Sequence, residues 1–465
     1  MLRLSCESEK SQDSGKVCSE ERLQPDQVVA YNAHVEFDQR SYTSLGLFTG
    51  EVGIGGHVDV RTSDDGCDQD TAASISILLS RNQPDVFPRD QLCFGGDSVT
   101  ESRAPRGTFN SERPLPLTPD EVTAEWLSEA LGVAVKGFKI SSVIHGTSSK
   151  VFVDLAFGDG VETEIPSRVV LKGGFNPVIG ERVPQMLPTY RREAEFYFHV
   201  APQTTMLLPK IWFTGTDTVN GQGIFIISDV SSEATFGAPL EPWTPERVGE
   251  GLKQLASLHA KTWNTSEEKY PWLFGRDGTK LENPVRNIIL ALLEPAPWGA
   301  RFDEKVQLPV AKELLDPDRI RRAFQALWKY ADADQKYYSL IHGDDHIENT
   351  LVANDGTPGF IDWQGLQHGP SVLDLAYFLT GALTVEDKRK HETGLVDTYL
   401  EALHREGGPK VTREDLWDDY RRYSLQGFLW AMTSQTMQSD EVVFAMAERY
   451  SDCIVDHGTL KLLGV

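Results

Sequence analysis

Apolar and polar positions alternate at short period over Lys139 to Ile144, Val151 to Phe157 and Arg168 to Leu171, with turns at Gly146 and at Gly158-Asp159-Gly160. Side chains of a strand point to opposite faces in turn, so this pattern predicts a small antiparallel sheet. Ahead of it, Thr118-Pro119-Asp120-Glu121 predicts a helix to about Leu131, with Thr118 as N-cap and Glu121 closing a capping box. A charged helix over Pro188 to Val200 and two strands, around Ile211 and over Ile224 to Ser228, follow. Beyond Asp229 the period becomes helical. Helices are expected from Thr244 through Ala260, over 315–333, over 387–406 and over 412–436. Between the second and third of these stands a β-rich island, Ser339 to Trp363.

The first 110 residues lack either period, and Ser, Gly, Asp and Gln recur there with 18 acidic against 10 basic residues. Such a stretch cannot bury enough apolar surface to offset its chain entropy, so it is expected to be mostly disordered, with order confined to patches such as Ser74 to Ser80. Gly53-Ile54-Gly55-Gly56-His57 lacks the strand–helix context of a phosphate loop and is given no role. The expected layout is therefore an extension over 1–112, a sheet-dominated lobe over 113–230 and a helical lobe over 231–465, an α+β chain.

Charge and cysteine content narrow the function. The 465 residues carry a formal charge of −24, which repels phosphate backbones and disfavours nucleic acid as a partner. The run Ile288 to Leu293 is far shorter than the ~20 residues of a spanning helix, so no membrane association is expected. Five cysteines without CxxC spacing support neither a disulfide framework nor a zinc site, and a cytoplasmic protein is expected.

The chemistry concentrates in His342-Gly343-Asp344-Asp345-His346-Ile347-Glu348-Asn349, followed by Ile361-Asp362-Trp363-Gln364. Phosphoryl transfer needs positioning, metal ions and a carboxylate that orients the attacking hydroxyl. Asp344 supplies that carboxylate, while Asn349 and Asp362 offer the oxygen ligands magnesium prefers. His342 and His346 suit loop-fixing hydrogen bonds better than magnesium ligation. Asp345 and Glu348 are expected to be solvated, and Asp374 to brace the loop or cap the following helix.

With Asp374-Leu375-Ala376-Tyr377-Phe378-Leu379 added, the wording resembles the aminoglycoside phosphotransferase/choline kinase superfamily, and most of all its ecdysteroid kinase-like branch. The resemblance runs over roughly 113–460. It implies the two-lobed protein-kinase-like fold, use of ATP and Mg2+, and phosphorylation of a hydroxyl on a small molecule. It further implies that Gly146, Thr147, Ser148 and Ser149 cover the phosphates. Lys172 at the end of Val169-Val170-Leu171 would pair with the phosphates and with a glutamate of the next helix. The wording of Arg191-Arg192-Glu193-Ala194-Glu195-Phe196-Tyr197 selects Glu193, leaving Arg191, Arg192 and Glu195 as ordinary surface charges. Ile227, Ser228 and Asp229 would form the hinge read by adenine. Tryptophans such as Trp243, Trp298 and Trp430 suit either a core or the wall of an apolar acceptor pocket, such as one for a steroid-like alcohol. The alternative is a pseudokinase that binds nucleotide or a protein partner without chemistry.

Overall fold

The computed structural model describes residues 31–35, 58–59, 73–77, 114–176, 178–179, 186–273, 284–303, 305–333, 336–435 and 437–465. The chain divides into two compact units, one built from residues 1–46 and 50–99, the other essentially from residue 100 onward. In the first unit, three short strands are described: β1 (Tyr31–Val35), β2 (Val58–Asp59) and β3 (Ala73–Ile77), paired antiparallel in the order β1-β3-β2. Tyr31-Asn-Ala-His-Val and Ala73-Ser-Ile-Ser-Ile do alternate apolar and polar positions, a strand pattern that the composition of the surrounding stretch hides. The rest of the expected extension, with its glycine-rich loop and Cys6, Cys18, Cys67 and Cys93, lies outside the described residues.

In the second unit the helix expected from Thr118 begins later. Pro119–Glu121 forms a single 3₁₀ turn whose Thr118 side chain makes no cap, and Glu121 Oε2 instead accepts from Leu117 N at 2.8 Å. Thr123 caps α1 (Ala124–Leu131) by accepting from Trp126 N. Two threonines five residues apart compete for one N-cap, and the one followed by the apolar face that can be buried, Leu127, Ala130 and Leu131, wins. Gly132 ends α1 in the left-handed conformation, as expected.

A five-stranded antiparallel sheet follows, in the order β4-β5-β6-β8-β7: β4 (Val135–Ile144), β5 (Ser149–Phe157), β6 (Arg168–Gly173), β7 (Ile211–Asp217) and β8 (Gln222–Ser228). Central strand β6 has five consecutive buried residues, so Lys172 is carried into the interior by its strand. The expected charged helix is α2 (Leu187–Glu195), extended by a π turn over Phe196–Val200. Val151, Val153, Val169, Leu171, Ile224 and Ile226 fill a core of this lobe's own with the apolar face of α1.

The larger core belongs to the helical lobe. Helix α3 (Pro245–Lys261), capped by Thr244, packs along α8 (Val385–Arg405) and across α7 (Ser371–Ala382). Past the short helices α4 (Pro284–Leu292) and α5 (Pro295–Arg301), between α6 (Pro317–Ala333) and α7, lies the β island, made of β10 (Tyr338–Ile341), β11 (Thr350–Ala353), β12 (Pro358–Phe360) and β13 (Gln367–Pro370), with β9 (Ala234–Phe236) paired to β11. β10 pairs with β13 and β11 with β12, so both chemistry-bearing loops leave strand ends on one side of the island. The helix expected over 412–436 is broken into α9 (Arg413–Tyr423), a 3₁₀ stretch and the short α10 (Leu429–Met432). Gly427 lies inside the break, where a Cβ would meet the Tyr450 ring at 1.8 Å, so this contact requires glycine. Helix α11 (Asp440–His457) was not expected from the pattern. Among the described residues no helix is long and apolar enough to cross a membrane.

Candidate active site

Lys172 is 5% exposed, a position an ammonium tolerates only when paired. Its Nζ lies 2.9 Å from Glu193 Oε1 on α2 and 3.0 Å from Asp362 Oδ1. Burial opposes the lysine charge, but the two carboxylates outweigh it and hold the group above its usual range. One cation shared by two carboxylates leaves one of them under-compensated. Burial, with Asp362 beside it, pushes Glu193 up, whereas Lys172 and Lys150 hold the Asp362 carboxyl below its ordinary value against its own burial. Glu195, two residues on and so about 200° round the helix, turns instead to Arg191 at 2.6 Å. The reading of Arg192 and Glu195 as surface charges is corrected: both are 2% exposed, since α2 is covered by the sheet on one side and by the 362–366 segment on the other. Arg192 Nη1 donates to Leu366 O at 3.5 Å, and burial brings its guanidinium down to about 9.

Asp362 has φ +65°, unusual for a residue with a Cβ, and the conformation is held by its neighbours. Trp363 N donates to Glu193 Oε1 at 3.1 Å, the Trp363 ring stacks on Phe196 at 3.9 Å, and His342 packs on its other side at 4.4 Å. His342 donates from Nε2 to Ile361 O at 2.9 Å and accepts from Asp344 N at Nδ1, which makes it a neutral, loop-fixing imidazole, lowered by burial. Asp374, at the start of α7, accepts from His342 N at 2.7 Å and Gly343 N at 3.0 Å. Gly343 has φ +77°, and a Cβ there would meet Gly365 O at 2.6 Å, so only glycine allows the two loops to touch.

Asp344 stands at the tip of this braced loop with its side chain 53% exposed. Asn349 Nδ2 donates to Asp344 O at 2.8 Å and is 3.4 Å from Asp344 Oδ2, so its amide nitrogen is committed to the loop. Among the described residues, Asn349 Oδ1 and Asp362 Oδ2 accept no hydrogen bond. His346 contacts Asn349 Nδ2 at 3.1 Å and lies 3.7 Å from Asp344 Oδ1. Its own burial is outweighed by Asp344 and Glu348, which push it up.

The expectation of solvated Asp345 and Glu348 is corrected too. Glu348 is half-buried and accepts from Gln438 Nε2 at 3.1 Å. Asp345 is wholly buried, with neither oxygen hydrogen-bonded. The turn that points Asp344 outward directs its neighbour inward.

At the loop between β4 and β5, Tyr190 OH donates to Thr147 O at 2.7 Å, Gln364 Nε2 donates to Ser148 Oγ, and Ser149 Oγ meets His145 Nδ1 at 3.0 Å. The hydroxyls of Ser148 and Ser149 therefore serve the loop itself. The backbone N–H groups of Gly146, Thr147 and Ser148 donate to no group among the described residues. At the other end of the sheet, Ile227 pairs with Val170 in β6, Ser228 Oγ accepts from Trp212 Nε1, and Asp229 Oδ2 lies 2.7 Å from Arg168 Nε.

One residue of the site was assigned no chemistry from sequence. His259 of α3 is fully buried, bridging Tyr399 OH at 2.9 Å and Asp374 Oδ2 at 3.2 Å. Its Leu-Ala-x-Leu-His context reads only as helix core, and α7 and α8 supply both partners. Of the aromatic residues expected as core or acceptor-pocket wall, Trp243, Trp272, Trp298, Phe428 and Trp430 are each under 10% exposed and belong to the cores, while Trp263 and Trp328 are half-buried against the larger one.

A sequence profile of the ecdysteroid kinase-like family matches residues 158–407, a span from β5's end through the catalytic-type loop to α8. The chain belongs to the ecdysteroid kinase-like family. It has the two-lobed kinase-like fold, and its family is one of small-molecule phosphotransferases that act on hydroxyl groups. No curated protein matches the sequence. Similar solved structures include a putative aminoglycoside phosphotransferase from Ralstonia eutropha (14% identity, 72% of this chain and 97% of that one, TM-score 0.42). Others are an ethanolamine kinase from Plasmodium vivax (14%, 74% and 86%, 0.41) and a choline kinase from Streptococcus pneumoniae (14%, 73% and 98%, 0.37).

Proposed function

We propose that this ecdysteroid kinase-like protein transfers the γ-phosphoryl group of ATP to the hydroxyl of a small molecule. The observation that carries the reading is the meeting of Lys172, Glu193 and Asp362 beside a loop that presents Asp344 to solvent. ATP lies between the lobes, with its adenine against the backbone of Ile227, Ser228 and Asp229. The free N–H groups of the Gly146–Ser149 loop and the Lys172 ammonium face its phosphates. The side chain of Asp229 is engaged by Arg168, so hinge recognition falls to main-chain groups.

The donor set fits Mg2+. Asp362 through Oδ2 and Asn349 through Oδ1 are hard oxygen donors with no other partner among the described residues. A bound Mg2+ would supply charge compensation for the phosphates. Asp344 accepts the proton of the acceptor hydroxyl as that oxygen bonds to the γ-phosphorus. The bond from phosphorus to the bridging β–γ oxygen breaks, and ADP leaves. Lys172 compensates the charge that spreads over the transferring group. Glu193 keeps the lysine in place, and Asp374 with His259 keeps the loop in place. Because the core tryptophans lend no support to an apolar wall, the acceptor is assigned no further than an alcohol.

The test is Asp344→Asn against Asp362→Ala, followed by melting with Mg·ATP and by ADP release with an alcohol panel. Asp344→Asn is expected to lose at least ~10³-fold in turnover and to keep the Mg·ATP-induced stabilisation. Asp362→Ala is expected to lose both. Wild-type protein with no Mg·ATP-dependent shift at all would overturn the kinase reading in favour of a pseudokinase.

A further inference from the structure

Two aspartates stand side by side in the loop, and the structure separates them. Asp344 is half exposed and bonded to Asn349. Asp345 has no exposed surface, and neither of its oxygens receives a hydrogen bond. An ionised carboxylate in that position would have neither water nor donors, which is untenable for a buried charge. The groups around it make ionisation harder still. From the loop come Asp344, His346 and Glu348, with His346 turned to Asp344, Glu348 and Asn349. From α7 come Asp374 and Tyr377, and Asp374 opposes the charge of Asp345. From α11 come Tyr450 and Arg449. Tyr450 OH donates to Tyr377 O at 2.8 Å, and Arg449 is spent on Gly381 O at 2.7 Å and Pro239 O at 2.6 Å. Asp345 is therefore left without a cation and, its own backbone N–H apart, without a donor, beside Tyr377 and Tyr450.

We propose that Asp345 is a positioning residue that works as an uncharged carboxylic acid, packing the loop onto α7 and α11 so that Asp344 alone of the pair is presented to solvent at its tip. The second half of this inference rests on the phosphotransferase reading; the first half, the uncharged state, does not. Burial, then Asp374 and Asp344, push the Asp345 carboxyl well above its ordinary range, in keeping with the geometry. An acid whose folded-state value is raised contributes stability below its unfolded value, and that contribution is lost as pH rises toward the folded value. At neutral pH the neutral isostere asparagine is then the better residue.

The experiment compares wild type, Asp345→Asn, Asp345→Leu and Asp344→Asn as full-length proteins. Melting is followed from pH 4 to 9 and turnover is followed over the same range. Asp345→Asn is expected to raise the melting temperature at pH 7–8 by about 2–4 °C, a gain that shrinks toward pH 4. It is also expected to keep turnover within about threefold and to lose the alkaline decline that ionisation of Asp345 gives the wild type. Asp345→Leu, uncharged and branched at the same γ position though larger, should melt within a few degrees of the asparagine variant. An Asp345→Asn variant that melts lower than wild type throughout, or that loses turnover as Asp344→Asn does, would overturn the proposal. Absent turnover in every protein, wild type included, would strike the phosphotransferase reading alone, because the melting series still decides the charge state.

Discussion

Two buried lysines organise this molecule, and they end differently. Lys172 meets Glu193 and Asp362, and the Asp362 side chain remains 31% exposed. Lys388 of α8 lies 2.9 Å from Glu392 Oε1 and 3.1 Å from His457 Nε2, in a cluster that Cys453 and Tyr420 complete. Glu392, Cys453 and His457 bring their ligand-type atoms within 4.8 Å of one another, the only such group found among the described residues. The Lys388 ammonium bonds to Glu392 and sits beside the other two groups, so the protein's own cation fills the place a metal ion would take. Both clusters satisfy the rule that buried charges come paired. The first leaves one carboxylate oxygen unmatched at an open edge, which is what a binding site requires. The second closes on itself and joins α8, α9 and α11.

Removing each lysine breaks the comparison most sharply. Lys172→Met should lower kcat/KM by about 10²–10³-fold, the loss expected when a preorganised positive charge no longer faces the transition state. Lys388→Met should cost stability, on the order of 1–3 kcal/mol, because it takes from Glu392 one of its two basic partners and leaves it His457 and Tyr420. Turnover per folded molecule should stay unchanged. Urea unfolding and initial rates on the same samples check both. If Lys388→Met instead lost activity while melting normally, the two clusters would not be separable as site and strut.

A smaller effect comes from His457. Burial opposes its charge, but its bonds to Cys453 and then Glu392 outweigh that and push it up to about 9. With the folded value above the unfolded one, its contribution is complete below about 6.5 and is lost as pH rises through about 9. Cys453 is held below its usual value by His457 and Lys388 despite burial, so its contribution runs the other way and grows with pH. The expected net result is a loss of about 1–2 kcal/mol between pH 7 and 9.5, abolished in His457→Gln and reduced in Cys453→Ser, which removes the strongest interaction holding His457 up. Unfolding free energies at those pH values measure it.

The same contrast explains what could be read in advance. The residues that meet at the open edge could be picked out in advance because the proposed phosphotransfer asks for particular residue types at nearly fixed spacing: Asp344, then Asn349 five residues on and Asp362 eighteen on. Lys172 and Glu193 were legible as the end of an apolar strand and one face of the next helix. The closed cluster was not legible. Lys388 and Glu392 look like an ordinary i, i+4 surface pair, and Cys453 and His457 sit in a helix whose pattern was not picked out. Only the packing of α8 on α11 turns them into one another's partners. Asp345 failed for a related reason: a polar residue in a polar loop reads as solvated, and the inward turn of the backbone carries no sequence mark. Strand and helix bodies were recovered to within a few residues where the period was clear. The start of α1 and the break between α9 and α10 depended on which cap or contact won in three dimensions.

The smallest effect tests the outer edge of the open site. Arg168 and Asp229 join the first residue of β6 to the residue that follows β8 at 2.7 Å, but the arginine side chain is 50% exposed. Such a pair is worth little, since water and salt screen it and two side chains must be ordered to make it. If nucleotide recognition at Ile227, Ser228 and Asp229 is by main-chain groups, Arg168→Ala should shift the melting temperature by less than about 2 °C and ATP affinity by less than about threefold. A tenfold loss of ATP affinity, measured by calorimetry, would mean that the Asp229 carboxylate must be held away from the base by Arg168. The hinge would then be selective through a side chain rather than through its backbone.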